Sequence, residues 1–192
     1  AMPVHLVMGN HEVFGPYVPD KVPVDHPEWG KEMFKKRLGG GATWRSFDHK
    51  GVHFVLLDSV GLVKNTDKPG SRYIGEIGGE QMEWLKADLA KLPPDTPVIG
   101  ASHIPIFSFY TQIFNGFTTP TPESEVITDA KPLFELLTSR RLFGYLEGHM
   151  HINERYEYMG KPFIDTGAVS AGWWGGPFNG HPEGFNHVTV WE

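Results

Sequence analysis

A chain of 192 residues, 40% hydrophobic and 21% charged, has room for one domain with its own core and is too apolar for a disordered segment. Seventeen basic against 23 acidic side chains give a net charge of −6, which argues against a general nucleic-acid-binding face, and no run of apolar residues is long enough for a membrane segment. With no cysteine there are no disulfides, thiolate zinc sites or cysteine nucleophiles, so ten histidines are left to carry any metal chemistry.

Taken in chain order, Val4 to Met8 reads as a short buried strand that stops at Gly9. Residues 15–30 are rich in Pro and Asp and read as a loop. Glu28 to Leu38 reads as a helix closed by Gly39-Gly40-Gly41. Thr43 to Asp48 and Val52 to Asp58 form two strands around a tight turn at His49-Lys50-Gly51. The second is almost wholly apolar, as a strand covered on both faces would be. Residues 61–78 read as a second loop. Met82, Leu85, Leu89 and Leu92 fall on one face of a helix over Gln81 to Leu92, stopped by Pro93-Pro94. Pro97 to Ala101 is a strand, His103 to Thr128 a long loop, and Asp129 caps a helix carrying Leu133, Leu136 and Leu137. Three strands follow, at Leu142 to Leu146, Arg155 to Met159 and Phe163 to Asp165, and Asn186 to Trp191 alternates like a last one. Strands and helices alternate without repeats or linkers, so the class is α/β with some antiparallel pairing, in a single domain over 1–192.

Three short segments share one design: a strand, then at once a polar turn bearing histidine. They are Met8-Gly9-Asn10-His11-Glu12, Ala101-Ser102-His103-Ile104-Pro105 and Glu147-Gly148-His149-Met150-His151. Ligands of open α/β sheets bind at the carboxyl ends of strands. One rim would therefore gather Asn10, His11, His103, His149 and His151, an amide oxygen and four imidazoles, which is a metal-ligand inventory. His149 and His151 differ by two, so on extended backbone both rings point to one side and can serve one ion or two adjacent ones. Gly9 and Gly148 would let the backbone turn sharply just before these side chains. The remaining histidines, His5, His26, His49, His53, His181 and His187, read as structural. The run Trp173-Trp174-Gly175-Gly176-Pro177 reads as packing and turn chemistry, with an aromatic wall at a substrate mouth as the functional alternative.

Gly9-Asn10-His11-Glu12, then His103, then Gly148-His149-Met150-His151 resemble, in that order, the motifs of the calcineurin-like metallophosphoesterases. Trp44 to Ser59 is similar to the family's hairpin, and Gln81-Met82-Glu83-Trp84-Leu85 to its helix. The stretch Trp173 to Phe185 looks like bacterial members. The resemblance implies an α/β/β/α sandwich that hydrolyses phosphate monoesters or diesters at a dinuclear centre of divalent ions (Zn, Mn, Fe or Ni). It implies that Asn10, His103 and His149 bind one metal and His151 the other, and that His11 acts as general acid or charge stabiliser at the leaving group of a phosphorylated small-molecule substrate.

The family's Asp-x-His and Gly-Asp motifs have no place ahead of Gly9, so the chain reads as the carboxy-terminal portion of the domain, truncated at its amino terminus. Two expectations follow. Without those carboxylates the chain would bind one metal poorly or none, with Glu12, Glu147 and Asp165 as surface or turn carboxylates rather than substitutes. The edge at Val4 to Met8 would also be open to homo-oligomerisation or strand exchange. A non-catalytic binding module on a degenerate phosphoesterase fold is the alternative function. A mononuclear hydrolase is a third, if Glu12 turns inward.

Overall fold

The computed structural model describes residues 3–66 and 69–191. Its centre is a six-stranded sheet in the order β1-β2-β5-β6-β8-β7, formed by β1 (Arg45–His49), β2 (Val52–Leu56), β5 (Pro97–Ala101), β6 (Arg141–Glu147), β7 (Glu154–Tyr158) and β8 (Lys161–Asp165). The four inner strands are parallel, and the edges β1 and β7 are antiparallel to their neighbours. A separate two-stranded sheet joins β3 (Val60–Lys64) to β4 (Ser71–Gly75). The helices are α1 (Glu32–Arg37), α2 (Gly79–Leu89), α3 (Tyr110–Asn115) and α4 (Ala130–Thr138). This is the mixed α/β class read from the alternation. None of the helices among the described residues is long and apolar enough to cross a membrane.

One sheet face carries the core. Val55, Val98, Leu142, Tyr145 and Phe163 cluster with Leu85 and Leu89 of α2 and Leu133 and Leu137 of α4, all buried. His53 sits on this face as a structural post: it is 4% exposed, with its ring nitrogens 2.8 Å from Asp48 and 3.0 Å from Asp88. The β1–β2 turn closes on two residues, Lys50 and Gly51, both at positive φ, as the right-handed twist of a two-residue hairpin demands.

Several expected elements are absent or displaced. Val4 to Met8 joins no ladder; His5 instead stacks on Phe47 of β1 at 3.8 Å, and Val4 is exposed. The expected strand at 4–8 is therefore an irregular segment packed through a ring rather than by backbone pairing. Asn186 to Trp191 is likewise irregular; Val190 and Trp191 line shallow hollows on the sheet face opposite the helices. The helix expected from Gln81 to Leu92 starts earlier and ends at Leu89. The loops at 61–78 and 103–128 contain the β3–β4 hairpin and α3.

Two polar contacts set the strand ends that carry function. The Gln81 side-chain amide, 2% exposed, accepts from Asp58 N–H at 2.9 Å and donates to the Asp58 carbonyl at 2.7 Å. Beside it, Ser59 Oγ accepts from Ile104 N–H at 2.7 Å, which anchors the turn after β5. Asp129 stands at the start of α4 but makes no cap bond there. Its oxygens accept from Ile77 and Gly78 N–H, each at 2.9 Å, and tie α4 to the entry of α2.

Candidate metal centre

The carboxyl ends of β5, β6 and β8 open onto one rim. The three-residue 3-10 turn Asn10–Glu12 is laid across it. Asn10 Oδ1 lies 2.8 Å from His103 Nε2, and His149 Nδ1 lies 3.2 Å from the same nitrogen. Asn10 is buried; His11 is exposed. His11 and His151 line the same cavity, of about 210 Å³, as Asn10, His103 and His149. All five side chains singled out in the sequence therefore face one space.

Neighbouring carbonyls set the ring tautomers. His149 Nε2 is 2.9 Å from the Ser124 carbonyl and His151 Nδ1 is 2.5 Å from that of Ala171. A carbonyl only accepts, so each of those nitrogens carries the proton. That leaves His149 Nδ1 to present a lone pair. Burial, reinforced by the other imidazoles, pushes the His103 pKa down to about 3. Burial also takes His149 down to about 4, against the opposing pull of the Ser124 carbonyl. Both rings are neutral at ordinary pH, the state a metal ligand requires.

The arrangement fits one cation. An amide oxygen, a lone pair on His149 and His103 Nε2 converge, and with no cation between them His103 Nε2 must hold a proton for Asn10 Oδ1 to accept. Donors around an ion at about 2.1 Å stand roughly 3.0–3.4 Å apart, near the two separations found here. Zn, Mn, Fe and Ni all suit this donor set. Among the described residues no three His, Asp or Glu side chains gather as a metal-holding group, so a cation here would rest on the Asn10 amide together with two imidazoles.

The carboxylates named from sequence lie elsewhere. Glu12 Oε2 turns back to accept from Gly9 N–H at 2.9 Å, which leaves the inward-turned form unsupported. Glu147 and Asp165 are not surface groups. They are 4% and 1% exposed, paired across β6 and β8, and Glu147 Oε1 accepts from Ile106 N–H at 2.5 Å. Glu147 Oε2 and both Asp165 oxygens have no hydrogen-bond partner. The carboxylate that does line the cavity is Glu125, together with Tyr73, Tyr110 and Phe178. Tyr110 and Phe178 lie in aromatic-rich stretches, at 107–117 and 173–178, that the sequence offered as a binding surface, whereas Tyr73 and Glu125 carried no such signal.

The glycines act differently from expectation. Gly9 is extended, at φ −104° and ψ 174°, so no sharp turn is made there. A Cβ at Gly9 would meet Glu12 Oε2 at 2.7 Å and the His103 ring at 3.2 Å; close approach is its reason. The strain falls on the histidines, with His149 at φ 77° and His151 at φ 60°, so they are not on extended backbone. Ala171, Trp173, Trp174 and Asn179 are also at positive φ. Such conformations cost about 1–3 kcal/mol each and persist where the surroundings enforce them. Gly9→Ala is expected to displace the His103 ring and weaken Mn²⁺ or Zn²⁺ binding at least tenfold by calorimetry, with circular dichroism unchanged.

The rim of this α/β sheet thus gathers an amide oxygen and imidazoles, two of them kept neutral by burial. Over 156 residues the chain is 30% identical to purple acid phosphatase 15 of Arabidopsis thaliana, covering 80% of this chain and 25% of that protein. Over 159 residues it is 27% identical to purple acid phosphatase 23 of the same plant, covering 80% of this chain and 29% of that protein. The chain thus spans between a quarter and a third of these curated relatives. No family model matches. A dimetal phosphatase from Danio rerio is similar in structure at a TM-score of 0.37 and 19% identity, over 48% of this chain and 27% of that one. The likeness to these two phosphatases, with the ordered motifs, points to the calcineurin-like metallophosphoesterase superfamily.

Proposed function

We propose that the site hydrolyses a phosphate ester, monoester or diester, with a divalent cation held by Asn10, His103 and His149. The supporting observation is the convergence of Asn10 Oδ1 and His149 Nδ1 on His103 Nε2, at 2.8 and 3.2 Å, with the His149 tautomer locked by Ser124. When bound, the cation supplies a Lewis acid for the phosphoryl oxygens and acidifies water. The reaction adds water to phosphorus and breaks the ester P–O bond, and the departing alkoxide takes up a proton. His11, exposed on the cavity wall, is placed to give that proton. His151, its Nδ1 taken by the Ala171 carbonyl, has Nε2 left for a second cation or for the attacking water.

A second reading, a binding module without turnover, is favoured by one observation: among the described residues no three His, Asp or Glu side chains gather as a metal-holding group. Calorimetric titration with Mn²⁺ and Zn²⁺, run beside hydrolysis of an aryl phosphate and its diester, separates the two. One site per chain plus turnover supports the phosphoesterase; binding without turnover supports the module; neither result overturns the metal assignment.

A further inference from the structure

The cavity has two unlike halves. Its floor is the amide and the imidazoles. Its wall is aromatic, built from Tyr110, Trp173 and Phe178, with Tyr73 standing edge-on to His149 at 5.7 Å. Trp173 and Phe178 meet at 89° with ring centroids 5.4 Å apart, and Phe178 lies parallel to Tyr110, 4° off at 6.1 Å. Asn179 holds this wall by donating to the Tyr110 hydroxyl at 3.1 Å. Trp173 is 61% exposed, so it has ring surface to offer a ligand.

The charge of the wall is unusual for a phosphate site. Among the described residues no Lys or Arg lines the cavity, and the carboxylate that does is Glu125. One of its oxygens already accepts from the Thr111 hydroxyl. A carboxylate repels the phosphoryl end of any substrate, yet attracts a cationic group at the other end. Aromatic faces act the same way, because their quadrupoles favour cations over anions. A primary ammonium would bring three N–H donors to a wall with one spare carboxylate oxygen. A fully methylated ammonium demands no hydrogen bonds and is satisfied by ring faces and one nearby negative charge.

We propose that Tyr110, Trp173, Phe178 and Glu125 form a cage for a quaternary ammonium group, so that the substrate is a phosphate ester of a trimethylammonium alcohol. This rests on the phosphoesterase reading of the adjoining floor. In the proposed pose the ester phosphorus lies over Asn10, His103 and His149, and the alcohol leaves past His11 toward the aromatic wall.

The test is binding, read by calorimetry and tryptophan fluorescence without added metal. The probes are choline, its neutral carbon isostere 3,3-dimethylbutan-1-ol, and ethanolamine. Choline is expected to bind saturably and at least tenfold more tightly than either of the others. Glu125→Gln, which keeps the size and an acceptor for Thr111, should erase most of that preference. Trp173→Phe should keep calorimetric binding while losing most of the fluorescence change. Equal binding of choline and the neutral isostere, or no saturable choline binding by folded wild-type protein, overturns the cage. Aryl phosphate turnover without choline preference would sink the cage and leave the phosphoesterase standing; choline capture without turnover by metal-loaded protein would do the reverse.

Discussion

Replacing His149 by alanine is expected to lower divalent-cation affinity at least a hundredfold and to abolish any hydrolysis of an aryl phosphate. Changes in groups that merely orient ligands commonly cost 10–100-fold. His149 is more than that, since its Nδ1 points at the nitrogen where the amide and imidazole donors meet. Two complications are separable. His149 sits at φ 77°, so alanine adds backbone strain, whereas His149→Gly removes the same ligand with none. His149 also donates to the Ser124 carbonyl, and losing that bond frees the loop that carries Glu125. Both variants should therefore lose the cation equally, and the alanine variant should in addition melt at a lower temperature. Retained stoichiometric binding in the glycine variant would remove His149 from the ligand set.

Half of this site was legible because His103 and His149 follow strand ends, which place donors on a sheet rim whatever the intervening chain does. Asn10 and His11 reach the same rim from a segment that is not a strand. The parallel strands β5, β6 and β8 then bring His103, His149 and the Ala171 carbonyl to one side. What was not legible came from tertiary packing. Tyr73 reaches the cavity from a hairpin hidden under a Gly- and Lys-rich composition, and Tyr110 from a six-residue helix with little intrinsic helical preference. Backbone carbonyls that select tautomers leave no mark in a sequence at all. Nor do side-chain patterns tell a strand from an irregular segment when an aromatic stack replaces the ladder, as at His5 and Phe47. Glu147 and Asp165 read as turn carboxylates because acids at strand ends are usually solvated. Here both are buried, and the Ile106 N–H reaches Glu147.

That burial gives the molecule a distinctive pH profile. Desolvation, helped by Glu147 and Glu154, pushes the Asp165 carboxyl up to about 9. Desolvation chiefly, with help from Glu154 and against the Ile106 N–H, raises Glu147 to about 8. From the ordinary carboxyl range up to these values the native state keeps protons that the unfolded chain has released. Stability therefore falls as pH rises, by about 1.4 kcal/mol per pH unit for each such carboxyl. His103 and His149 act with the opposite sign. Below about pH 6.5 the unfolded chain takes up protons that the buried rings refuse until about pH 4 and 3, so stability falls as pH drops. Between roughly pH 4.5 and 6.5 two carboxyls oppose two imidazoles, and a plateau is expected. Above it only the carboxyls remain, and the melting temperature should decline toward pH 9. Asp165→Asn deletes one of the two alkaline contributions without a charge to bury. Its decline should be about half as steep as that of the wild type between pH 6.5 and 8, and should level off above about pH 8, where only Asp165 still contributes in the wild type. Thermal denaturation at half-unit pH steps in metal-free buffer reads this directly; parallel curves for the two proteins above pH 6.5 would mean that Asp165 is ionised in the native state and that its burial is compensated by a group other than a proton.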